Sequence, residues 1–243
     1  MSAEGKHAVV TGASRGIGLA VATRLAQAGA RVSIISRSDV APTPFFHARA
    51  DVAKEDEVRH AFAQCRAANG EITILVNNAG VAETATLSRT STAMWERVLA
   101  TNLTGTFICT REVFAEMMAA GWGRIVNIAS TAGLAGAPYI AAYCASKHGV
   151  IGLTRALAAE SAGSGVTVNA ICPGYTETAI LHGAIANIVA KTGRSEDETR
   201  SLLAKSNPQG RFATVEEVAR AVVDIVDGSR TGVALTIPGL AEA

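Results

Sequence analysis

Short apolar runs without polar alternation recur along the chain, and longer segments of helical periodicity separate them. The β-branched runs cover 7–11 (HAVVT), 31–36 (RVSIIS), 45–51 (FFHARAD), 72–78 (ITILVNN), 124–130 (RIVNIAS), 166–172 (VTVNAIC) and 232–238 (GVALTIP). Each reads as a strand. Helix-length segments fall at 16–28, 55–68, 99–119, 141–161 and 215–226. Strands that lack a polar face are covered on both sides, which predicts a parallel sheet between two layers of helices.

Two segments interrupt the alternation. SRSDVAPTP (36–44) is too short and too rich in proline for a crossover helix, so a loop is predicted there. The stretch 176–212 is long and more polar, with helical patterns at 181–191 and 196–205. Beside the carboxyl ends of parallel strands, such an excursion reads as a substrate lid. No repeat, low-complexity tract or flexible linker divides the chain. The predicted fold is therefore α/β, a single doubly wound, Rossmann-like domain over 1–243 with a seven-stranded parallel sheet.

Composition narrows the function. At 49% hydrophobic and 18% charged residues, the chain fills a core and is not disordered. A net charge of +1 gives no electrostatic case for nucleic acid or an anionic membrane as partner. Cys65, Cys109, Cys144 and Cys172 are scattered without a C-x-x-C pair, which predicts reduced thiols and a cytoplasmic protein. The opening MSAEGKHAVV does not read as a signal peptide, because its apolar run is short and leads into a glycine-rich turn. The uncharged stretch 125–146 is interrupted by Asn127, Ser130, Gly133, Gly136 and Pro138, so it reads as strand, loop and helix start rather than a membrane span.

VVTGASRGIGLA places Gly12, Gly16 and Gly18 between the first strand and the first helix. The spacing is G-x-x-x-G-x-G, which is neither the G-x-G-x-x-G fingerprint nor a P-loop. Three glycines in seven residues nevertheless exceed what a turn alone needs. They let backbone N–H groups approach an anion at a helix N-terminus. At the end of the second strand stand Ser36 and Arg37, where a carboxylate would mark an NAD site. Arg37, with Arg15 in the glycine turn, suits a 2′-phosphate, so the expected cofactor is NADP(H). Asp39 nearby keeps NAD(H) as the second candidate.

In AAYCASKHGV, Tyr143 and Lys147 are four residues apart and share a helix face. Alone, that spacing says little. Together with TGASRGIG (11–18), DV (51–52), NNAG (77–80), TNLTG (101–105), NIAS (127–130) and PGYTET (173–178), it resembles the short-chain dehydrogenase/reductase family over nearly the whole chain. The resemblance implies hydride transfer between a nicotinamide and a carbonyl or alcohol, without metal. It implies a catalytic set of Asn102, Ser130, Tyr143 and Lys147. For the cofactor it implies Gly12, Ser14, Arg15, Gly16, Ile17 and Gly18 of the glycine turn, with Ser36 and Arg37. Asp51 and Val52 would meet the adenine, and Asn77, Asn78, Ala79 and Gly80 would border the dinucleotide. Tyr143, Lys147, Pro173, Gly174, Thr176 and Thr178 complete the set.

The chemistry agrees with that assignment. Ketone reduction needs a positioned acid for the developing alkoxide. Lowering a tyrosine pKa from about 10 to about 7 takes roughly 4 kcal/mol. An ammonium about 4 Å away supplies roughly that at an effective dielectric of about 20. Lys147 is therefore expected to depress the Tyr143 pKa and to bind the cofactor ribose. Ser130 would stabilise the substrate oxygen, and Asn102 would hold a water that feeds protons to Lys147. His148 faces away from Lys147, and Cys144 and Cys172 read as buried thiols.

The segments NLTGTF, GRIVNIAST and GVTVNAICPGY are most similar to β-ketoacyl reductases and 3-hydroxyacyl-CoA dehydrogenases. A 3-oxoacyl thioester is thus the leading substrate, and Lys191, Arg194, Lys205 and Arg211 would meet a CoA or carrier-protein phosphate. A cyclic alcohol, dihydrodiol or steroid with NAD(H) is the enzymatic alternative, and a non-catalytic NADP(H) sensor the other. The apolar helices at 99–119 and 141–161, with the family's habit, suggest a homodimer or homotetramer. The ending TIPGLAEA departs from the family's D-G-G, which leaves C-terminal contacts with the cofactor pocket unassigned.

Overall fold

Side chains of the first strand alternate between two cores: Ala8 and Val10 pack to one face, Val9 to the other, and none is exposed. The computed structural model describes residues 3–39, 44–207 and 209–237. The strands are β1 (His7–Thr11), β2 (Arg31–Ser36), β3 (Phe46–Arg49), β4 (Ile74–Asn77), β5 (Gly123–Ile128), β6 (Val166–Pro173) and β7 (Ala234–Ile237). They form one seven-stranded sheet in the order β3-β2-β1-β4-β5-β6-β7. Every pairing is parallel. The order reverses between β1 and β4, and that switch point leaves a crevice at the carboxyl ends of the strands.

The helices are α1 (Gly16–Gln27), α2 (Glu55–Asn69), α3 (Thr92–Leu99), α4 (Gly105–Ala120), α5 (Ala141–Glu160), α6 (Ala179–Thr192), α7 (Glu196–Lys205) and α8 (Val215–Asp227). One layer carries α1 and α8, whose Val21, Leu25, Val218 and Val222 pack with Ile34, Val76 and Val126. The other carries α2, α4 and the end of α5, where Phe62, Val113, Met117 and Ala158 pack with Leu75 and Ile125. No described helix is long and apolar enough to cross a membrane.

The strands match the sequence reading to within one or two residues at most ends. Edge strand β3 is shorter than 45–51, since it pairs only with β2. The predicted loop 36–44 and strand 232–238 fall partly outside the described residues, and the ending from Pro238 onward does so wholly. The helix expected at 99–119 departs most. It begins earlier, at α3, with Ser91 Oγ accepting from Met94 N (3.2 Å). It then widens into a π-turn at Ala100–Thr104 before α4. The extra residue per turn rotates Asn102 inward, and its exposure is 0%. The helices expected within 176–212 fall where they were predicted, at α6 and α7.

A capping box starts α8. Thr214 Oγ1 accepts from Glu217 N (3.1 Å), and Thr214 N donates to Glu217 Oε2 (2.8 Å). Arg211 pairs with the same carboxylate. The Arg211 guanidinium, then the Thr214 N–H, hold the Glu217 carboxyl down to about 2 from its ordinary 4.5. A depressed carboxyl stabilises the fold above the unfolded pKa, and that contribution is lost as pH falls through the folded one. The urea midpoint of Glu217→Gln should therefore lie below wild type at neutral pH. The gap should close between about pH 4.5 and pH 2 in an acid series; a gap that persists unchanged to pH 2 would contradict this role.

Candidate active site

The glycine turn is held from behind by β4. Thr11 Oγ1 accepts from Asn78 N (3.0 Å) and Ala79 N (3.1 Å), and Asn78 Nδ2 donates to Thr11 O (2.9 Å) and Gly12 O (3.1 Å). A Cβ on Gly12 would lie 2.7 Å from Ala79 Cα, and one on Gly18 would lie 2.5 Å from Asn78 Nδ2. Gly12 and Gly18 are thus required by packing. Gly16 differs: its φ is +58°, and a Cβ there would meet only Thr178 Cγ2, at 3.7 Å. Arg15 caps α1 without any side-chain hydrogen bond. Free N–H groups at an uncapped helix start, open space before Gly16 and Thr178 across the groove fit the pyrophosphate of a dinucleotide.

At the end of β2 the cations and carboxylates sort themselves. Ser36 is buried, and its hydroxyl is taken by His47 Nε2 (3.0 Å) and Ser38 N (3.3 Å). Arg37 is exposed, with Asp51 4.0 Å away, whereas Asp39 pairs with Arg49 Nε at 3.1 Å. Asp51 Oδ1 accepts from Ala53 N (3.0 Å), which sets the turn that presents it. Val52 is buried against Gly105.

Ser130 and Tyr143 come together beyond the end of β5. The Ser130 hydroxyl, which accepts from Ala132 N at 3.1 Å, lies close enough to the Tyr143 phenol to act on it. Lys147 is 5% exposed, and its Nζ donates to Ile128 O at 2.7 Å. It lies 5.7 Å from the centre of the Tyr143 ring. Burial pulls the Lys147 ammonium down to about 8. Burial likewise pushes the Tyr143 phenol above its ordinary 10, against the opposing pull of the nearby Ser130 hydroxyl. The expectation that Lys147 lowers the tyrosine pKa is therefore corrected for this structure. Both groups sit in the same dry pocket, which penalises the charged form of each.

Asn102 is fully committed. Its Nδ2 donates to Val81 O (2.9 Å) and Ser146 Oγ (3.0 Å), and its Oδ1 accepts from Val81 N (2.8 Å). Both carboxamide donors are thus taken, so a bound water would have to donate to Asn102. The carboxamide ties the segment following Gly80 to α5, near Lys147. Asn77 does not border the groove through its side chain, which is buried and donates to Thr110 Oγ1 and Asn127 Oδ1, each at 2.9 Å. On a strand, successive side chains point to opposite faces, and only Asn78 turns toward Gly12.

The remaining expected residues lie at the end of β6. Thr176 is buried and its Oγ1 donates to Gly174 O (3.1 Å), while Thr178 Oγ1 donates to Thr176 O (3.2 Å). His148 is exposed, with Nδ1 2.9 Å from Cys144 O. Burial raises the Cys172 thiol to about 11, in keeping with packing, while Cys144 is only half-buried. Among the lid cations, Arg211 is taken by Glu217. Arg194 and Lys205 edge an open depression on α7 that also holds Asp197 and Glu198. Ser146, Tyr175 and Asn207 were missed by the sequence reading; Ser146 and Tyr175 lie inside its motifs, but Asn207 carries no local signal.

Three comparisons bear on this arrangement. A model of the short chain dehydrogenase family matches residues 6–189. A D-beta-hydroxybutyrate dehydrogenase of Rhizobium meliloti (strain 1021) is 39% identical over 228 residues, covering 88% of each chain. A cis-4-hydroxycyclohexanecarboxylate dehydrogenase of Sinomonas cyclohexanicum is 39% identical over 229 residues, covering 88% of this chain and 86% of the relative. The crystal structure of an actinorhodin polyketide ketoreductase variant with NADPH superposes with a TM-score of 0.90. It is 34% identical and covers 98% of this chain and 97% of its own.

The turn geometry makes a prediction against helix propensity. Alanine in place of a helical glycine ordinarily gains about 1 kcal/mol. For Gly18→Ala, crowding against Asn78 and Gly12 should outweigh that gain and leave a net loss of about 1–3 kcal/mol by urea unfolding.

Proposed function

The chain belongs to the short chain dehydrogenase family and is an oxidoreductase acting between a hydroxyl and a ketone; on that premise we propose NADP(H)-dependent interconversion of a 3-oxoacyl and a 3-hydroxyacyl thioester, with Tyr143 as acid and base. The observation that carries the reading is the buried Lys147 ammonium, fixed by Ile128 O and 5.7 Å from the Tyr143 ring, with the Ser130 hydroxyl near the phenol. Arg37 and Arg15 support the 2′-phosphate, and so does the pairing of Asp39 with Arg49, which neutralises the carboxylate that would repel it. A homodimer or homotetramer in the cytoplasm belongs to the same proposal, supported by Phe107 at 43% exposure on α4 and by four free thiols.

The acyl group is assigned to a cleft of about 530 Å³ between the loop after β4 and α6. Its lining includes Ala82, Thr84, Met94, Ile180 and Asn187. The carboxylate at its rim, Glu83, is tied to Arg97 by two hydrogen bonds of 2.8 and 2.9 Å. A largely neutral cleft suits a thioester. Lys191, Arg194 and Lys205 stay exposed on the lid for a phosphate, whereas Arg211, also exposed, is paired with Glu217.

When bound, the nicotinamide supplies or accepts the hydride. The protein's own residues manage the proton. Tyr143 gives its phenolic proton to the carbonyl oxygen as that oxygen gains charge, and Ser130 holds the same oxygen by hydrogen bond. Lys147, fixed by Ile128 O, keeps a positive charge under the phenolate that forms. Burial raises the phenol, which favours the acid form that reduction requires. The name of the Sinomonas relative favours a second reading, a cyclic-alcohol dehydrogenase, for which NAD(H) is the alternative cofactor. A non-catalytic binding protein is disfavoured by the intact Ser130, Tyr143 and Lys147 arrangement.

Tyr143→Phe should lose at least about a hundredfold in turnover, and retention of more than about a tenth would refute the acid role. Alcohol oxidation needs the phenolate, so its kcat/KM should climb about tenfold per unit between pH 6 and 8, while reduction stays flat. NADPH should be preferred over NADH by about tenfold or more in a panel of 3-oxoacyl thioesters and cyclic alcohols. Turnover of cyclic alcohols alone would remove the thioester assignment.

A further inference from the structure

Asn207 lies between α7 and α8, far in sequence from every motif, and is 4% exposed. Its Oδ1 accepts from Tyr175 N, and its Nδ2 donates to Tyr175 O and Arg211 O, all at 2.8 Å. The carboxamide thus pairs with Tyr175 as a neighbouring strand would. The pairing continues beyond it: Ala213 N donates to Tyr175 O (2.9 Å) and Glu177 N to Ala213 O (3.0 Å). Together these contacts close the base of the lid. They also crowd Gly174, where a Cβ would collide with Asn207 Oδ1.

The turn held in this way leads directly to the dinucleotide groove. Gly174 O accepts from Thr176 Oγ1, Thr176 O accepts from Thr178 Oγ1, and Thr178 Cγ2 faces Gly16 across the groove. We propose that Asn207 is a positioning residue for the cofactor, setting the distance between Thr178 and the glycine turn. The role demands an adjacent donor and acceptor on a short stem. Aspartate keeps the acceptor but turns both donations into repulsions between a carboxylate and a carbonyl.

The inference rests on the nucleotide-binding part of the functional reading and is tested by binding alone. NADPH is titrated by fluorescence into wild type, Asn207→Asp and Ser195→Ala, with thermal midpoints recorded in parallel. Ser195→Ala removes the cap of α7 without touching the turn, so it reports what loosening the lid does by itself. Asn207→Asp should bind NADPH at least about fivefold more weakly than Ser195→Ala, and a smaller ratio overturns the proposal. If Asn207→Asp does not fold, steric coupling decides. Gly174→Ala should weaken NADPH binding at least about fivefold more in the wild-type background than in the Asn207→Ala background; equal, multiplying losses overturn the proposal. Wild type that binds neither NADPH nor NADH overturns the functional reading and this inference together. Wild-type binding with variants outside these limits overturns this inference alone.

Discussion

Parallel strands buried on both faces can present polar chemistry only where they stop. In this sheet β1, β4, β5 and β6 are buried along their whole length, and every group assigned to the site lies at or just beyond a carboxyl end. The reversal of strand order between β1 and β4 opens the crevice. From that constraint follow the place of the glycine turn after β1, of Ser130 after β5, and of the Pro173–Gly174 turn at the end of β6. Tyr143 and Lys147 come from a helix, but it is β5 that receives them, through Ile128 O and Ser130.

A strand that stops leaves backbone donors and acceptors without a ladder, and burying them unpaired is costly. Asparagine answers this repeatedly, because its carboxamide offers a peptide-like donor and acceptor on a short stem. Asn78 holds Thr11 O and Gly12 O, and Asn102 pairs with both backbone groups of Val81. Asn169 spans Arg230 O and Val233 N before β7. Asn207 does the same for Tyr175. The reactive side chains stand on a frame of these side-chain surrogates for strand pairing. That frame explains how a site assembled from separate segments keeps its geometry.

Much of this was legible in the residue order. The strands and the helices at 16–28, 55–68, 141–161 and 215–226 emerged from periodicity, since burial on both faces leaves an apolar run and burial on one leaves a stripe. The glycine turn was legible because only glycine tolerates those close approaches. The helix from Thr92 was missed because its single polar cap and one buried residue, Val98, make a weak stripe. The π-turn was missed because nothing in ATNLT distinguishes five-residue from four-residue hydrogen bonding. Asn77 and Asn78 could not be told apart by type, and only strand pleat separates the buried one from the one at the groove.

By itself, then, the order of residues determined the doubly wound sheet, the place of the anion-binding turn and the shared face of Tyr143 and Lys147. Those properties follow from local spacing: a period of two or of 3.6, a glycine where a Cβ collides, a tyrosine and a lysine one turn apart. Only the tertiary structure decided that Asn102 is consumed as a clamp and that Asp39 is neutralised by Arg49. It also decided that burial pushes the Tyr143 phenol upward, and that Asn207 pairs with Tyr175. Each of these depends on which polar groups are left dry and unpaired when distant segments meet, and that is a property of packing that no local spacing records.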